Sequence, residues 1–240
     1  MPSPHDTLNS RRRFYAAVDV APVDGAFAVR LDGRTPRSPE GRPLVLPNAS
    51  LAGLVAEEWS AQGEYLQSAS MPATCLAWTA IDRTAGLRAE MAAEVARFAA
   101  TDLICYFADH PADLVRRQED LWEPVIAWAE QALEVSFNRA HGITHQPQPP
   151  ATLERIAALA AQADDLTLTG LAYGAALFTS AILTFALQRG RITGDEAFQL
   201  SRLDESFQEE RWGLDAESAA RADALAIDAA TLGRWFEALR

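Results

Sequence analysis

Four carboxylates stand close together near the C-terminal end of the chain and are the first candidates for chemistry: Asp204, Glu205, Glu209 and Glu210. Neighbouring carboxylates can serve general acid–base catalysis or hold a divalent cation. Glycoside hydrolysis, however, needs two carboxylates that face each other across the substrate. Di-metal helical bundles need Glu-x-x-His pairs, and no histidine follows at that spacing. A carboxylate- or metal-dependent hydrolase near Glu205 therefore stands as the alternative interpretation.

The histidines do not form a convincing metal site. His141 and His145 have the i, i+4 spacing of two metal ligands on a helix, but Gly142 between them favours a loop. No acidic or cysteine ligand lies close to these two in sequence, and His5 and His110 lack the neighbours that would make a site. We therefore expect no metal and no cofactor.

The nucleophiles also give no catalytic pattern. Cys75 and Cys105 lie in apolar segments, and their spacing matches neither a metal site nor a redox motif, so we expect two buried free thiols. All 21 basic residues are arginine, which excludes a lysine Schiff base and a P-loop lysine. The sequence thus favours a binding protein over an enzyme.

Composition restricts the class of partner. The 240 residues are enough for one large domain or two small ones, and the hydrophobic share of 49% can build a core. The formal net charge of −12 and the isoelectric point of about 4.8 argue against nucleic acid and against anionic membrane surfaces as partners.

The acidic segment is expected to be the end of a helix with two different faces. Leu200, Leu203 and Phe207 recur at helical spacing and should pack inward. The residues from Thr193 to Glu196 have the spacing of a capping box, and Gly213 can end the same helix. The other face is either simply solvated or a surface for a basic or amide-rich partner; it carries Glu205, Gln208, Glu209 and Trp212.

One uncharged segment, from Leu166 to Leu187, is long enough to span a bilayer. Gly170 and Gly174 give it the GxxxG spacing found where helices approach closely. Several threonines and a tyrosine lower its hydrophobicity, and the chain is strongly acidic. We therefore expect a buried central helix, not a membrane span.

The first third of the chain contains strand and turn signals. The stretch from Phe14 to Val20 is rich in aromatic and β-branched residues, Phe27 to Leu31 alternates in polarity, and Asp32-Gly33 is a tight-turn signal. A small antiparallel sheet is expected from about residue 13 to 47, with Ser50 opening a helix after it and helices dominating after residue 72. The predicted fold is an α+β N-terminal domain (residues 1–82) followed by a larger all-α domain (residues 83–240).

The N-terminal fifteen residues lack the apolar core of a secretory signal. This favours a bacterial cytoplasm, with the mitochondrial matrix as the alternative for an organelle-bearing source.

Seven motifs spread over nearly the whole chain carry a family resemblance: Val29–Arg34, Pro43–Pro47, Ala56–Trp59, Met71–Pro72, Thr79–Arg83, Thr101–Tyr106 and Leu203–Gly213. In these residues the sequence resembles the assembly chaperones for the F1 sector of ATP synthase that hold the alpha subunit. The resemblance implies an N-terminal α/β domain and a C-terminal helical domain, which agrees with the predicted fold.

The same resemblance implies a function without catalysis. Members of the family bind the unassembled alpha subunit and shield the surface that later contacts the beta subunit. An acidic residue of the helical domain is associated with this function, and Glu205 is the best match to it in this sequence. The partner-binding residues implied here are Glu205, Asp204, Gln208, Glu209 and Trp212.

Overall fold

The computed structural model describes residues 11–142, 146–213 and 216–240. His5, His145 and Asp215, which the sequence interpretation used, lie outside these residues.

The described residues divide into two compact units. The first holds the chain up to Arg88 with two later pieces, Asp164–Thr169 and Glu237–Arg240, and the second holds Ala89–Ala163 and Gly170–Phe236. A domain boundary after residue 82 stays a prediction.

The first unit contains the expected antiparallel sheet, with the strands β1 (Val18–Val23), β2 (Ala26–Leu31) and β3 (Val45–Leu46) in that order. The first strand begins later than Phe14, which is 60% exposed. Asp24 joins β1 to β2 with φ 47° and the following glycine has φ 81°, as the Asp-Gly pair of a tight hairpin requires. The predicted small sheet is therefore confirmed.

The helix after the sheet, α1 (Ala49–Ser60), begins one residue earlier than the sequence pattern indicated. Asn48, not Ser50, is its cap, because the Asn48 side-chain oxygen accepts from the backbone N–H of Leu51 at 2.8 Å. Trp59 on this helix is 2% exposed, and the Tyr15 hydroxyl donates to its carbonyl at 2.6 Å. Trp59 therefore belongs to the core of the first unit.

The rest of the described chain is mostly helical. After α1 come α2 (Pro72–Thr79), a π-helical turn (Ala80–Thr84), α3 (Ala85–Ala100), α4 (Ala112–Leu133) and α5 (Pro150–Gln162). These are followed by α6 (Asp165–Leu177), α7 (Ala181–Gln188), α8 (Gly194–Ser201), α9 (Leu203–Trp212) and α10 (Ala216–Leu239). Two short strands, β4 (Tyr106–Phe107) and β5 (Ala140–His141), pair in parallel.

The expectation of one long uncharged helix is wrong. Thr179 has φ 49°, and the Ser180 hydroxyl accepts from the N–H of Leu183 at 3.0 Å, so the segment divides into α6 and α7. Among the described residues, no helix is both long and apolar enough to cross a membrane. The close helix contact expected at the glycines is confirmed, since a Cβ on Gly170 would lie 2.8 Å from the ring of Phe236.

A fully buried carboxyl group fixes the start of α7. Asp102 accepts from the hydroxyl of Ser180 at 2.6 Å and from the N–H of Ile182 at 2.9 Å. Burial raises the pKa of Asp102 to about 7, although the hydrogen bonds from Ser180 and the backbone oppose this rise. Asp102 thus holds the N-terminal end of a helix that begins 79 residues later in the chain.

Asp102 should make folding stability depend on pH. Its pKa in the folded protein is raised, so its contribution is fully present below the unfolded pKa and is lost as pH rises towards the folded pKa of about 7. Between about pH 4 and 7 the free energy of unfolding should fall by up to about 1.4 kcal/mol per pH unit relative to Asp102→Asn. Denaturant unfolding of both proteins at pH 5, 6, 7 and 8 measures this, and parallel pH profiles would contradict it.

The start of α8 packs directly on the backbone of α10. A Cβ on Gly194 would clash with the carbonyl of Ala229 and would lie 3.0 Å from the Cα of Ala230. Gly233 makes the reverse approach, because a Cβ there would lie 3.1 Å from the nitrogen of Gly194. Glycine at both positions lets the two backbones meet.

Gly194→Ala should destabilise the fold by about 1–3 kcal/mol, because backbone atoms must move to admit the methyl group. Gly53→Ala in α1 is the matched control, since a Cβ there meets nothing within 4 Å and alanine favours the helix. Chemical unfolding of both variants measures the difference. Equal stability of the two would contradict this packing.

Candidate partner-binding surface

The helix that carries the acidic segment is two helices, not one. The predicted capping box is confirmed: the Thr193 hydroxyl accepts from the N–H of Glu196 at 3.1 Å, and the Glu196 carboxylate accepts from the N–H of Thr193 at 2.7 Å. The chain then breaks at Arg202, with φ −115° and ψ 21°. The indole N–H of Trp122 donates to the carbonyl of Leu200 at 3.0 Å and occupies an acceptor that an unbroken helix would use.

The inner side of α9 is held against α4 by an aromatic ring between two guanidinium groups. Phe207 is 5% exposed, with the guanidinium carbon of Arg117 at 5.3 Å and that of Arg211 at 4.2 Å from its ring centre. Arg117 also donates to both carboxylate oxygens of Glu210, at 2.7 and 3.0 Å, and Arg211 donates to Asp113 at 3.0 Å. These contacts fix the rotation of α9 about its axis.

Asp204 belongs to this inner side. Its carboxylate accepts from the side-chain amide of Gln118 at 2.7 Å, and the Gln118 oxygen accepts from the N–H of Ala108 at 2.7 Å. Burial raises the pKa of Asp204, the hydrogen bond from Gln118 lowers it, and the neighbouring Glu205 raises it. Asp204 therefore supports the position of α9 from within.

The outer side of α9 forms one wall of an open groove of about 410 Å³, whose other wall is α10. The other four sequence-predicted binding residues lie together on the first wall: Glu205, Gln208, Glu209 and Trp212. The second wall was not anticipated, because the residue spacing within α9 does not show which side chains of the next helix face it. It consists of Ser218, Arg221, Ala222 and Leu225.

Charges in the groove are balanced except at one place. Glu209 pairs with Arg202 at 2.6 Å, and Arg221 pairs with Glu217 at 3.0 Å. Glu205 is exposed and forms no hydrogen bond or ion pair within the described parts of the chain.

A large aromatic side chain stands at the end of the groove. Trp212 is 78% exposed, the highest value among the large hydrophobic side chains that the structure exposes in its described parts. Gly213 follows with φ 85° and ψ 166°, so it ends α9 in a positive-φ conformation that favours glycine but is not the left-handed helical one. An exposed tryptophan beside an unpaired carboxylate is suited to binding a partner.

Two other polar side chains, those of His141 and Asp82, do not line this groove. His141 lies in β5, with its ring centre 5.6 Å from that of Phe107. Asp82 accepts from the hydroxyl of Ser38 at 2.6 Å and so holds a loop of the first unit. In residues 11–142, 146–213 and 216–240, no group of three or more His, Cys, Asp or Glu side chains could hold a metal ion.

Comparisons with known proteins agree on a family. The family described as ATP12 chaperone protein matches residues 12–130. Atp12 from Paracoccus denitrificans is 39% identical, and its crystal structure superposes with a TM-score of 0.85 over 95% of this chain and 98% of that chain. This chain belongs to the ATP12 chaperone family. Protein atp12, mitochondrial, from Schizosaccharomyces pombe is 27% identical over 217 residues, which are 85% of this chain and 74% of that protein.

Two further solved structures resemble this ATP12 family member. One is an aspartate-to-lysine mutant of the Paracoccus protein, with the same identity, coverage and TM-score as the structure above. The other is a candidate chaperone from Agrobacterium tumefaciens, 37% identical, with a TM-score of 0.87 over 95% of this chain and 86% of that chain. As a member of this family, the protein is a chaperone for ATP synthase assembly and not an enzyme. The alternative interpretation as a hydrolase is therefore wrong.

The contact of Phe207 with Arg117 and Arg211, here called the α9 clamp, leads to a testable prediction. Arg117→Gln removes the paired guanidinium beside Phe207, so α9 should open more often and its backbone amides should exchange with deuterium up to about fivefold faster. Arg116→Gln is the control, because the Arg116 side chain is 73% exposed. Its ion pair in the described part of the chain is a long one, 3.4 Å from Asp113. Equal rates of amide exchange in α9 of the two variants would contradict the role of the α9 clamp.

Proposed function

We propose that this chaperone binds the unassembled alpha subunit of the F1 sector of ATP synthase and shields its beta-facing surface until the beta subunit takes its place. The motif resemblance supports the choice of alpha. The exposed Trp212 and the unpaired Glu205 on the same wall of an open groove are the observation that carries the site.

The groove suits a partner that must later leave. Releasable protein interfaces are of moderate size, and a few anchor residues carry most of their binding energy. Trp212 can supply apolar contact area, while Glu205 and Gln208 can supply polar contacts at the same wall. Glu209 is already paired with Arg202, and Asp204 with Gln118, so we assign these two acids to holding the binding wall in place.

The bacterial cytoplasm is the proposed location, or the mitochondrial matrix if the source has organelles. Relatives of both kinds support it, since one is described as mitochondrial and others come from bacteria.

Glu205→Lys should leave the fold intact and reduce retention of isolated alpha subunit by about tenfold or more, because it places a cation where we propose that the partner's cation binds. Co-purification of tagged chaperone with recombinant alpha subunit measures retention, and circular dichroism checks the fold. Glu119→Lys, an equal charge change at an exposed site on α4 outside the groove, is the matched control.

The outcomes separate the two parts of the proposal. Retention of alpha by Glu205→Lys at the wild-type level would overturn the assignment of Glu205. Failure of the wild-type chaperone to retain any alpha subunit would overturn the proposed partner.

A further inference from the structure

The groove between α9 and α10 has the chemistry to recognise one particular side chain. We infer that it holds a single arginine of the partner, with the guanidinium group on Glu205 and the apolar stem on Trp212. This inference rests on the proposed function for its biological meaning, but its chemistry can be tested without the partner.

The spacing of the two anchors favours a long side chain. Glu205 and Trp212 are seven residues apart on one face of α9, which places them about 10 Å apart along the helix axis. Side chains of a helix lean towards its N-terminus, so we expect the Trp212 ring to lie over the part of the wall between its own position and Glu205. A side chain that enters beside Trp212 must therefore pass over apolar surface before its charge reaches the carboxylate.

The opposite wall allows the same path. Ala222 and Leu225 give it an apolar part, and the guanidinium of Arg221 is drawn to Glu217 at 3.0 Å. Arginine and lysine both lay methylene stems on apolar surface while the charged end stays polar. The lining of the groove thus fits the stem as well as the charge.

The electrostatics of the groove determine the sign of the charge that its ligand should carry. Residues 89–240 hold 12 arginines and 24 aspartates and glutamates, so the whole net charge of −12 lies in this part of the sequence. In the groove, Glu209 and Arg221 already have charged partners, which leaves Glu205 as the unbalanced group in its described lining. A cation from the partner restores the balance.

Guanidinium fits this place better than ammonium. Its planar fork can donate two parallel hydrogen bonds to one carboxylate, it stacks on aromatic faces, and it is less strongly hydrated than a lysine ammonium. The side-chain oxygen of Gln208, one turn from Glu205, can accept a further guanidinium N–H. A lysine in the same position would lose the paired hydrogen bonds and the stacking.

The test uses a five-residue blocked peptide, Ala-Ala-Arg-Ala-Ala, and the same peptide with lysine or with citrulline, the uncharged counterpart of arginine. The full chaperone is labelled with 5-fluorotryptophan, and the fluorine resonance of Trp212 is assigned with Trp212→Phe. The arginine peptide should shift the Trp212 resonance saturably and at least threefold more tightly than the lysine peptide, and citrulline should give no saturable shift.

Two variants make the result specific. Glu205→Gln should abolish the saturable shift, whereas Glu119→Gln should leave it unchanged. Equal shifts with arginine and citrulline, or an arginine shift that survives Glu205→Gln, would overturn the inference.

Failure of the proposed function would be visible separately. If the arginine peptide binds as described but the chaperone retains no alpha subunit, the groove chemistry stands and the partner is wrong. If alpha subunit is retained through Glu205 but no peptide gives a saturable, arginine-specific shift, the partner stands and the arginine inference is overturned.

Discussion

The packing of the Phe207 ring against the guanidinium groups of Arg117 and Arg211 is the contact on which the candidate partner-binding surface depends. A helix of ten residues is too short to be stable by itself, so tertiary contacts must determine whether and how α9 forms. The ion pairs of both arginines and the hydrogen bond from Gln118 to Asp204 act on the same side of the helix. Together they leave the opposite side to face solvent.

This division gives the two sides of α9 different tasks. The inner residues hold the helix, and the outer residues are those that we propose meet a partner, on a wall that is already ordered before binding. Preorganisation of this kind lowers the entropy that binding costs, because few side chains must still be fixed. If the client passes to another subunit, as we propose, the chaperone gains from such a surface, since a few well-placed anchors can give specificity without a large interface.

Local patterns in the sequence predicted the parts of this fold that local physics controls. The capping box at Thr193, the small antiparallel sheet and the helical remainder are set by neighbouring residues and are confirmed. The break at Arg202 could not be predicted in this way, because Trp122, 78 residues before Leu200, takes the carbonyl that would continue the helix. Helical spacing placed four candidate binding residues on one face of α9, but spacing within one helix gave no sign that α10, the next helix, forms the second wall.

Oxidative footprinting of Trp212 tests the central claim most directly. Trp212 is 78% exposed and Phe14, in the other unit, is 60% exposed, so hydroxyl radicals should oxidise both in the free chaperone. When isolated alpha subunit is bound, oxidation of Trp212 should fall several-fold more than that of Phe14. A stable complex in which Trp212 is oxidised as fast as in the free protein would contradict the account.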